Sequence, residues 1–461
     1  MKHYHFIGIG GIGMSGIARI MLNHGIKVSG SDIKENKIIK ELRGSGADVF
    51  IGHNALNIKG ADTVVYSTAI KQDNPEISQA RKLNISLIKR AQALAELMKD
   101  KIVITVSGSH GKTTTSSLVS YLLLEAGYSP TAAIGGILRN IDANACPGEG
   151  KFFVAEADES DGSFLYYKPK YSIITNIDYE HLDYYKDFSN VIEAFRQFIN
   201  TADKQGCLFC CADDANLKSL LKSYKHRHVF FGLSRDADIY AENIRINGLI
   251  SEFDCFYKGE FVDNFTLSVP GVHNVSNALS VIALGIELGI DKQVIKKAFI
   301  SFKGIGRRIE IKLDCRDYLL IDDYAHHPTE IKATLNAIRN IKAGRIVVVF
   351  QPHRYTRTKL LLQEFGRCFD LADYIIITDI YSANEPPLEG VNAELVCEEI
   401  KKYSPEKQAR FLGKKELIPH ILEIAEPNDL IVTLGAGDIV DICNQLVEEF
   451  KSKGYIYGTK N

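Results

Sequence analysis

The sequence predicts an α/β protein of three domains, each built on a largely parallel sheet. Three observations carry this expectation. Strand-sized apolar runs alternate with amphipathic helical segments along nearly the whole chain, the pattern of βαβ units. Two glycine-rich turns, Gly8 to Gly16 and Gly108 to Gly111, each follow a strand and open a helix. The 461 residues exceed what one hydrophobic core fills, so the alternation must be shared among several cores.

Taken in order, Lys2 to Ile9 reads as a buried strand, Gly8 to Gly16 as a turn, and Gly16 to His24 as a helix ended by Gly25. A second strand ends at Asp32, Thr63 to Ser67 supplies another, and a helix covers Ala91 to Met98. The charged break Lys99-Asp100-Lys101 ends the first domain, residues 1–99. The strand Ile102 to Val106 and a helix from Thr113 to Ala126 begin a second nucleotide fold, continued by strands at Phe152 to Ala155 and Ser172 to Asn176 and by the helix Asn274 to Leu288. Gly304-Ile-Gly306 is the hinge that closes this domain at 100–303. Strands Tyr318 to Ile321, Ile346 to Phe350, Tyr374 to Thr378 and Leu430 to Leu434, with a helix at Thr329 to Ile341, form the third domain, 304–461.

Composition excludes several classes. Hydrophobic residues make up 45% and charged residues 24%, as in ordinary globular chains. A formal net charge of -2 with both signs interspersed offers no basic face, so nucleic acid is not an expected partner. The amino terminus lacks a long hydrophobic region and a small-residue cleavage site, and the longest apolar runs fall far short of the roughly 20 residues of a spanning helix. A soluble, cytoplasmic protein without membrane insertion is expected. Nine irregularly spaced cysteines suit reduced thiols. Cys207-Leu-Phe-Cys210-Cys211 contains a CxxC, but with no second ligand pair it reads as core strand.

The first glycine-rich turn, Gly8-Ile-Gly10-Gly11-Ile-Gly13-Met14-Ser15-Gly16, satisfies GxGxxG, with Asp32 at the end of the next strand. Taken alone it suggests NAD. Its physics is broader: glycines admit a diphosphate close to the backbone and the helix N-terminus stabilises its charge, so UDP fits as well. The second turn, Gly108-Ser109-His110-Gly111-Lys112-Thr113-Thr114, lacks the first glycine of a strict Walker sequence but keeps the lysine and the hydroxyl in place. Its backbone would cradle phosphates, Lys112 would neutralise the β and γ oxygens, and Thr113 would ligate Mg²⁺. Glu156-Ala-Asp158-Glu159-Ser160-Asp161 packs four carboxylates into six residues, a density that calls for a cation. Asn176-Ile-Asp178-Tyr179-Glu180-His181-Leu182-Asp183 follows another strand at the same carboxyl edge.

These motifs, with Asp322-Asp323-Tyr324-Ala325-His326-His327-Pro328-Thr329-Glu330 and Phe350-Gln351-Pro352-His353-Arg354-Tyr355-Thr356-Arg357, resemble the Mur ligase family in order and spacing across all three domains. The resemblance implies a Rossmann-like UDP-substrate domain, a central P-loop-type ATPase domain and a Rossmann-like carboxyl-terminal domain. It implies an ATP-dependent ligase that joins the carboxylate of UDP-N-acetylmuramic acid to L-alanine in cell-wall precursor synthesis. UDP would lie on Gly10, Gly11, Ile12, Gly13, Met14, Ser15, Asp32, Ser67 and Thr68. ATP would meet Gly108, Ser109, His110, Gly111, Lys112, Thr113 and Thr114, with Asn274 and Asn277 at its adenosine, Arg308 at its γ-phosphate and Asp323 at its ribose. Two Mg²⁺ would be served by Thr113, Glu156 and His181. His327, His353, Arg354 and Arg357 would receive alanine, the arginines matching its carboxylate with forked donors.

By the same resemblance Lys112, Glu156, His181 and Arg308 carry the catalysis. A metal-binding carbamylated lysine found in some relatives is not expected, because Ala194-Phe-Arg196-Gln-Phe198 offers no lysine. His326-His327 is not read as a zinc pair, since neighbouring residues of an extended chain point apart. Two other readings remain: a sister ligase that recycles intact peptides onto the same sugar nucleotide, and an NAD-dependent oxidoreductase, which leaves Lys112, Glu156 and His181 idle.

Overall fold

The computed structural model describes residues 2–67, 70–339, 341 and 344–452, with the side chains of Leu182 and Asp183 left aside. Three sheets follow one another along the chain. The first contains β1 (His3–Ile7), β2 (Lys27–Asp32), β3 (Asp48–Ile51), β4 (Thr63–Tyr66) and β5 (Ser86–Lys89) in the order β3-β2-β1-β4-β5, all parallel. Strand order reverses at β1, so a crevice opens at its carboxyl end, where the first glycine-rich turn begins.

The second sheet has ten strands: β6 (Ile102–Ser107), β7 (Thr131–Leu138), β8 (Ala143–Pro147), β9 (Phe152–Glu156), β10 (Tyr171–Ile174), β11 (Cys207–Cys211), β12 (His228–Gly232), β13 (Ile239–Asn247), β14 (Ile250–Tyr257) and β15 (Glu260–Leu267). Their order, β15-β14-β13-β12-β11-β10-β6-β9-β7-β8, places β6 between β9 and β10 with all three parallel. At one edge β7 runs parallel to β9 and pairs antiparallel with β8.

The third sheet contains β16 (Glu310–Asp314), β17 (Tyr318–Asp323), β18 (Ile346–Phe350), β19 (Tyr374–Ile377), β20 (Gln408–Phe411) and β21 (Asp429–Leu434) in the order β16-β17-β21-β18-β19-β20. Only β16 is antiparallel to its neighbour. β18 is apolar and buried throughout, as a strand covered on both faces must be. Alternation sends Ile346, Val348 and Phe350 to one core and Val347 and Val349 to the other.

Compact packing gathers Met1–Asn243, Phe253–Thr266 and Asn274–Lys303 into one unit and Ile244–Glu252, Leu267–His273 and Gly304–Asn461 into a second. Cys207, Cys210 and Cys211 are buried in β11, and burial pushes all three thiols up, as expected of core strand. Of the nine free cysteines, eight are buried and Cys146 on β8 is half-buried. No described helix is long and apolar enough to cross a membrane.

Several boundaries differ from the sequence expectation. The first helix begins at Ile12 rather than Gly16. Gly13 and Gly16 are therefore helical, and their bare Cα atoms face the Arg90 guanidinium and the Asn144 carbonyl. At Gly13 the close approach of Arg90, rather than turn formation, accounts for the missing side chain, whereas a Cβ on Gly16 would meet only ordinary van der Waals contacts. The helix expected at Thr329 to Ile341 spans Pro328–Ile338, because Pro328 suits the first helical position, where its missing N–H costs nothing.

Candidate functional site

The first loop is held by its own side chains. Gly8 turns the chain at φ +79°, and Asp32 at the end of β2 accepts from the Gly10 N–H at 2.9 Å. The helix Ile12–Asn23 then leaves its first-turn N–H groups pointing back at the crevice, the arrangement that stabilises an anion. Gly10, Gly11, Ile12, Gly13, Met14, Ser15 and Asp32 are thus brought together. Ser67 follows β4, the neighbour of β1 across the switch point. Thr68 lies outside the described residues.

A charged residue that the sequence reading passed over reaches this loop. Arg90 opens the helix Arg90–Leu97. A Cβ on Gly13 would sit 2.3 Å from its Nη1. The same guanidinium lies 3.5 Å from Asp158 of the acidic cluster.

The second loop runs from β6 into the helix Lys112–Glu125. Gly108 has φ +125°, and a Cβ there would lie 2.2 Å from Thr175 Oγ1, so no other residue fits. Gly111 has φ +85° and packs against Asn277, whose side chain also donates to Asn274 Oδ1 at 3.4 Å. His110 pairs through Nε2 with Asp178 at 2.9 Å, and Ser109 Oγ accepts from the Asp178 N–H at 2.9 Å. Lys112 Nζ donates to the carbonyls of Gly108 at 2.6 Å and Ser109 at 3.2 Å and to both oxygens of Glu159 at 2.9 and 3.0 Å. Burial works against this ammonium, but the fields of Glu159, Asp158 and Glu180 outweigh it and raise its pKa.

The acidic cluster divides in two. Glu156 ends β9 and accepts from the Gly135 N–H at 2.7 Å and from Ser116 Oγ at 3.2 Å, with Thr113 as a further donor. Burial pushes its pKa up against those donors. Asp158, Glu159 and His181 form a second group whose ligand atoms lie within 4.8 Å of one another. There burial opposes ionisation of Asp158, but Lys112 and Arg90 bring its pKa down to about 2. Glu159 also lies 3.6 Å from His181, which adopts φ +59°, a left-handed conformation uncommon for non-glycine residues. The fold therefore joins Thr113 to Glu156 and His181 to Asp158 and Glu159. Glu159, within the cluster but assigned no role by the sequence, sits where the two halves meet.

The remaining expected residues belong to the second compact unit. Arg308 donates to Glu330 at 3.3 Å, and its guanidinium lies 5.3 Å from the Tyr324 ring centroid. It is flanked by Arg307 and Ile309 at φ +61° and +46°, a strain that two carboxylates offset. Glu310 accepts from the Arg307 N–H at 2.8 Å and Asp323 from the Ile309 N–H at 2.7 Å. The other Asp323 oxygen accepts from Ala325 N–H at 2.7 Å. In this conformation Asp323 is a clamp on the loop bearing Arg308. Burial outweighs the Arg308 charge and lifts its carboxyl to about 6.

His327 caps the helix Pro328–Ile338, Nδ1 accepting from Thr329 N–H at 3.3 Å. After β18, Arg357 and His353 pair at 3.1 Å, and His353 stacks on Tyr381 with centroids 5.6 Å apart. Arg354, at φ +69°, turns its guanidinium to Glu385 at 3.9 Å. His353, Arg354 and Arg357 thus occupy one short turn, with the two guanidinium groups directed to different partners.

Three domain families match in sequence: the Mur ligase family catalytic domain at residues 3–102, the Mur ligase middle domain at 106–285 and the Mur ligase glutamate ligase domain at 307–437. The chain belongs to the Mur ligase family. Its three sheets are the three-domain architecture of that family.

This Mur ligase is 46% identical over 98% of both chains to the UDP-N-acetylmuramate–L-alanine ligase of Geotalea uraniireducens. Among solved structures, it is similar to the UDP-N-acetylmuramate-alanine ligase of Thermotoga maritima, with 31% identity, a TM-score of 0.84, and 98% of this chain and 100% of that one covered. A Neisseria ligase that carries L-alanyl-γ-D-glutamyl-meso-diaminopimelate in its name is 30% identical with a TM-score of 0.61, covering 67% of this chain and 100% of that one.

Proposed function

We infer that this Mur ligase forms the amide between the carboxylate of UDP-N-acetylmuramic acid and L-alanine, using ATP and releasing ADP and phosphate, in the assembly of peptidoglycan precursors. The observation that carries this reading is the pair of phosphate loops in one compact unit. One is neutral and suited to holding a diphosphate; the other carries Lys112 and a cluster of carboxylates. Full-length likeness to alanine-adding relatives selects alanine over a peptide.

The roles follow from the chemistry. The muramyl carboxylate attacks the γ-phosphorus in line, the bond to the ADP oxygen breaks, and an acyl phosphate forms. The amine of alanine attacks the acyl carbon, the bond to the phosphate oxygen breaks, and the amine loses its proton. Lys112 and the loop N–H groups neutralise charge at the transferring phosphate, Asn274 and Asn277 serve adenosine, and Arg308 adds a second cation at the γ-phosphate. His327, His353, Arg354 and Arg357 receive alanine. The UDP-sugar takes Gly10 to Ser15, Asp32, Ser67 and Thr68.

Oxygen-rich ligand sets favour Mg²⁺, and Thr113 with Glu156, and His181 with Asp158 and Glu159, fit two such ions. When bound, Mg²⁺ neutralises phosphate charge. Domains are placed at 1–99, 100–303 and 304–461, and the protein works in the cytoplasm without nucleic acid or membrane insertion. The test is ADP release with UDP-N-acetylmuramic acid and ATP, to which L-alanine, a tripeptide or NAD is added. Alanine-dependent release is the expected result, and release driven only by the tripeptide assigns the chain to peptide recycling.

A further inference from the structure

The hairpin β7–β8 touches Glu156, the carboxylate beside the second phosphate loop, and the first helical turn behind the first loop. On β7, the Gly135 N–H donates to Glu156 Oε1 at 2.7 Å, and the contact is tight enough that a Cβ on Gly135 would lie 2.4 Å from Oε2. β7 is also in register with β9, Ala133 opposite Ala155, so the hairpin is built onto the strand that ends in Glu156. On β8, Asn144 is fully buried and turns the other way. Its Nδ2 donates to the Ile12 carbonyl at 2.6 Å and to Ser15 Oγ at 2.9 Å. Ser15 Oγ in turn donates to the same Ile12 carbonyl at 3.1 Å, closing a three-membered polar knot on the first turn of the helix behind the neutral loop. Gly16 packs beside it, at ordinary contact distance from the Asn144 backbone carbonyl.

One further detail separates Asn144 from an ordinary buried amide. Its Oδ1 is buried and has no hydrogen-bond partner among the described residues. An unpaired buried carbonyl costs stability, so packing alone gives no reason for an amide at this place. What the amide does supply is a donor that reaches from the ATP-binding part of the chain to the backbone of the UDP-sugar loop.

We propose that Asn144 is a positioning residue that sets the UDP-sugar loop at a fixed distance and angle from the ATP loop. This rests on the assignment of the two loops to UDP-sugar and ATP. Each ligand is anchored by its own phosphates, so the gap between carboxylate and γ-phosphorus is set by the protein between the anchors. In-line transfer demands reacting atoms within about 3 to 3.5 Å, and a misplacement near 1 Å costs about a hundredfold in rate. Asn144 works on that gap. Its amide nitrogen is engaged by the Ile12 carbonyl and Ser15 Oγ within the protein, so its loss is expected in turnover more than in the binding of either nucleotide.

The experiment uses the full chain and the variants Asn144→Ala, Asn144→Ser and Asn144→His. The imidazole Nδ1 stands where the amide nitrogen stands and can donate; alanine has no donor and the serine hydroxyl falls short. Measured are kcat and KM for ADP release with L-alanine, calorimetric affinities for UDP-N-acetylmuramic acid alone and for a non-hydrolysable ATP analogue alone, and the melting temperature. Expected are a fall in kcat of about 10 to 100-fold in the alanine and serine variants, each affinity within about threefold of the parent, and substantial recovery of kcat in the histidine variant.

An unchanged kcat in Asn144→Ala overturns the proposal. So does a parallel fall of kcat, both affinities and melting temperature in every variant, histidine included, which marks a purely structural residue. Should the alanine variant fail to fold, the serine and histidine variants carry the same comparison. Parent enzyme lacking alanine-dependent turnover would instead sink the functional reading on which the proposal stands.

Discussion

The loops Gly8–Gly16 and Gly108–Thr114 use one device, a strand that ends in glycines and a helix whose first turn faces an anion, yet they differ in where charge is placed. The first has no lysine or arginine of its own. It takes a carboxylate, Asp32, into its backbone, and a cation, Arg90, reaches it from a later helix. The second has Lys112 inside the loop and carboxylates facing it. A group that is only held needs geometry; a phosphoryl group that changes bonding needs charge set out in advance. The contrast separates binding from chemistry within one compact unit.

Lys112→Ala puts that separation to the strongest test. Ligation is expected to fall at least about a hundredfold, as when one preorganised donor is removed from a transition state, while UDP-sugar affinity stays within about twofold. Equal losses in turnover and in calorimetric UDP-sugar binding would break the comparison.

The comparison extends to the third anion, the carboxylate of alanine. Arg354→Lys and Arg357→Lys keep the charge but lose the fork, so KM for alanine should rise by about 10 to 150-fold, the worth of one charge-assisted contact. Initial rates at saturating ATP and UDP-sugar measure this, and an unchanged alanine dependence in both variants removes the clamp.

Asp323 offers a pH test in the other compact unit. With its carboxyl lifted from 3.8 to about 6, it loses charge below about pH 6, and its grip on the Ile309 and Ala325 N–H groups weakens with it. An acid limb in kcat near pH 6 is expected, and Asp323→Asn should flatten it. Stability should move the opposite way. The folded carboxyl binds its proton more tightly than the unfolded one, so between about pH 4 and 6 this group adds stability as pH falls and withdraws it as pH rises. Chemical denaturation across that window, in parent and Asp323→Asn, reads the sign.

The smallest effect is expected from Gly13→Ala. The new Cβ would meet Arg90 Nη1, the far end of a flexible side chain that can move aside. KM for the UDP-sugar should rise about fivefold, the value of one ordinary hydrogen bond near 1 kcal/mol, with KM for ATP unchanged. A rise in KM for ATP alone would place Arg90 in the service of the other loop.

What the sequence made legible was whatever the chain writes locally. Gly108 and Gly111 need positive φ, Lys112 must open a helix, and β18 is apolar through five residues; each can be read within a short window. Arg90 and Asn144 act on residues far along the chain and follow no motif, and Glu159, though inside the acidic motif, has no partner there; their roles emerge only once β8 lies on the first helix and the acidic turn lies under Lys112. The start of the first helix was misplaced for a related reason. A glycine-rich run reads as a turn until a neighbour, Arg90, arrives to explain why Gly13 carries no side chain. Asp323, assigned to a ribose by resemblance, holds backbone in this conformation, because Ile309 and Ala325 come to it only in the folded chain.

Cys146 lies on β8 two residues beyond Asn144, half-buried while the other eight thiols are buried. A maleimide dye should therefore attach at a single place, on the very strand that ties the two loops together. Burial raises that thiol's pKa, so at neutral pH little of it is thiolate and labelling should be slow, limited by how often the strand loosens. The native chain thus carries its own stopwatch for the hairpin: a ligand that tightens the strand slows the dye, and one that leaves it alone does not.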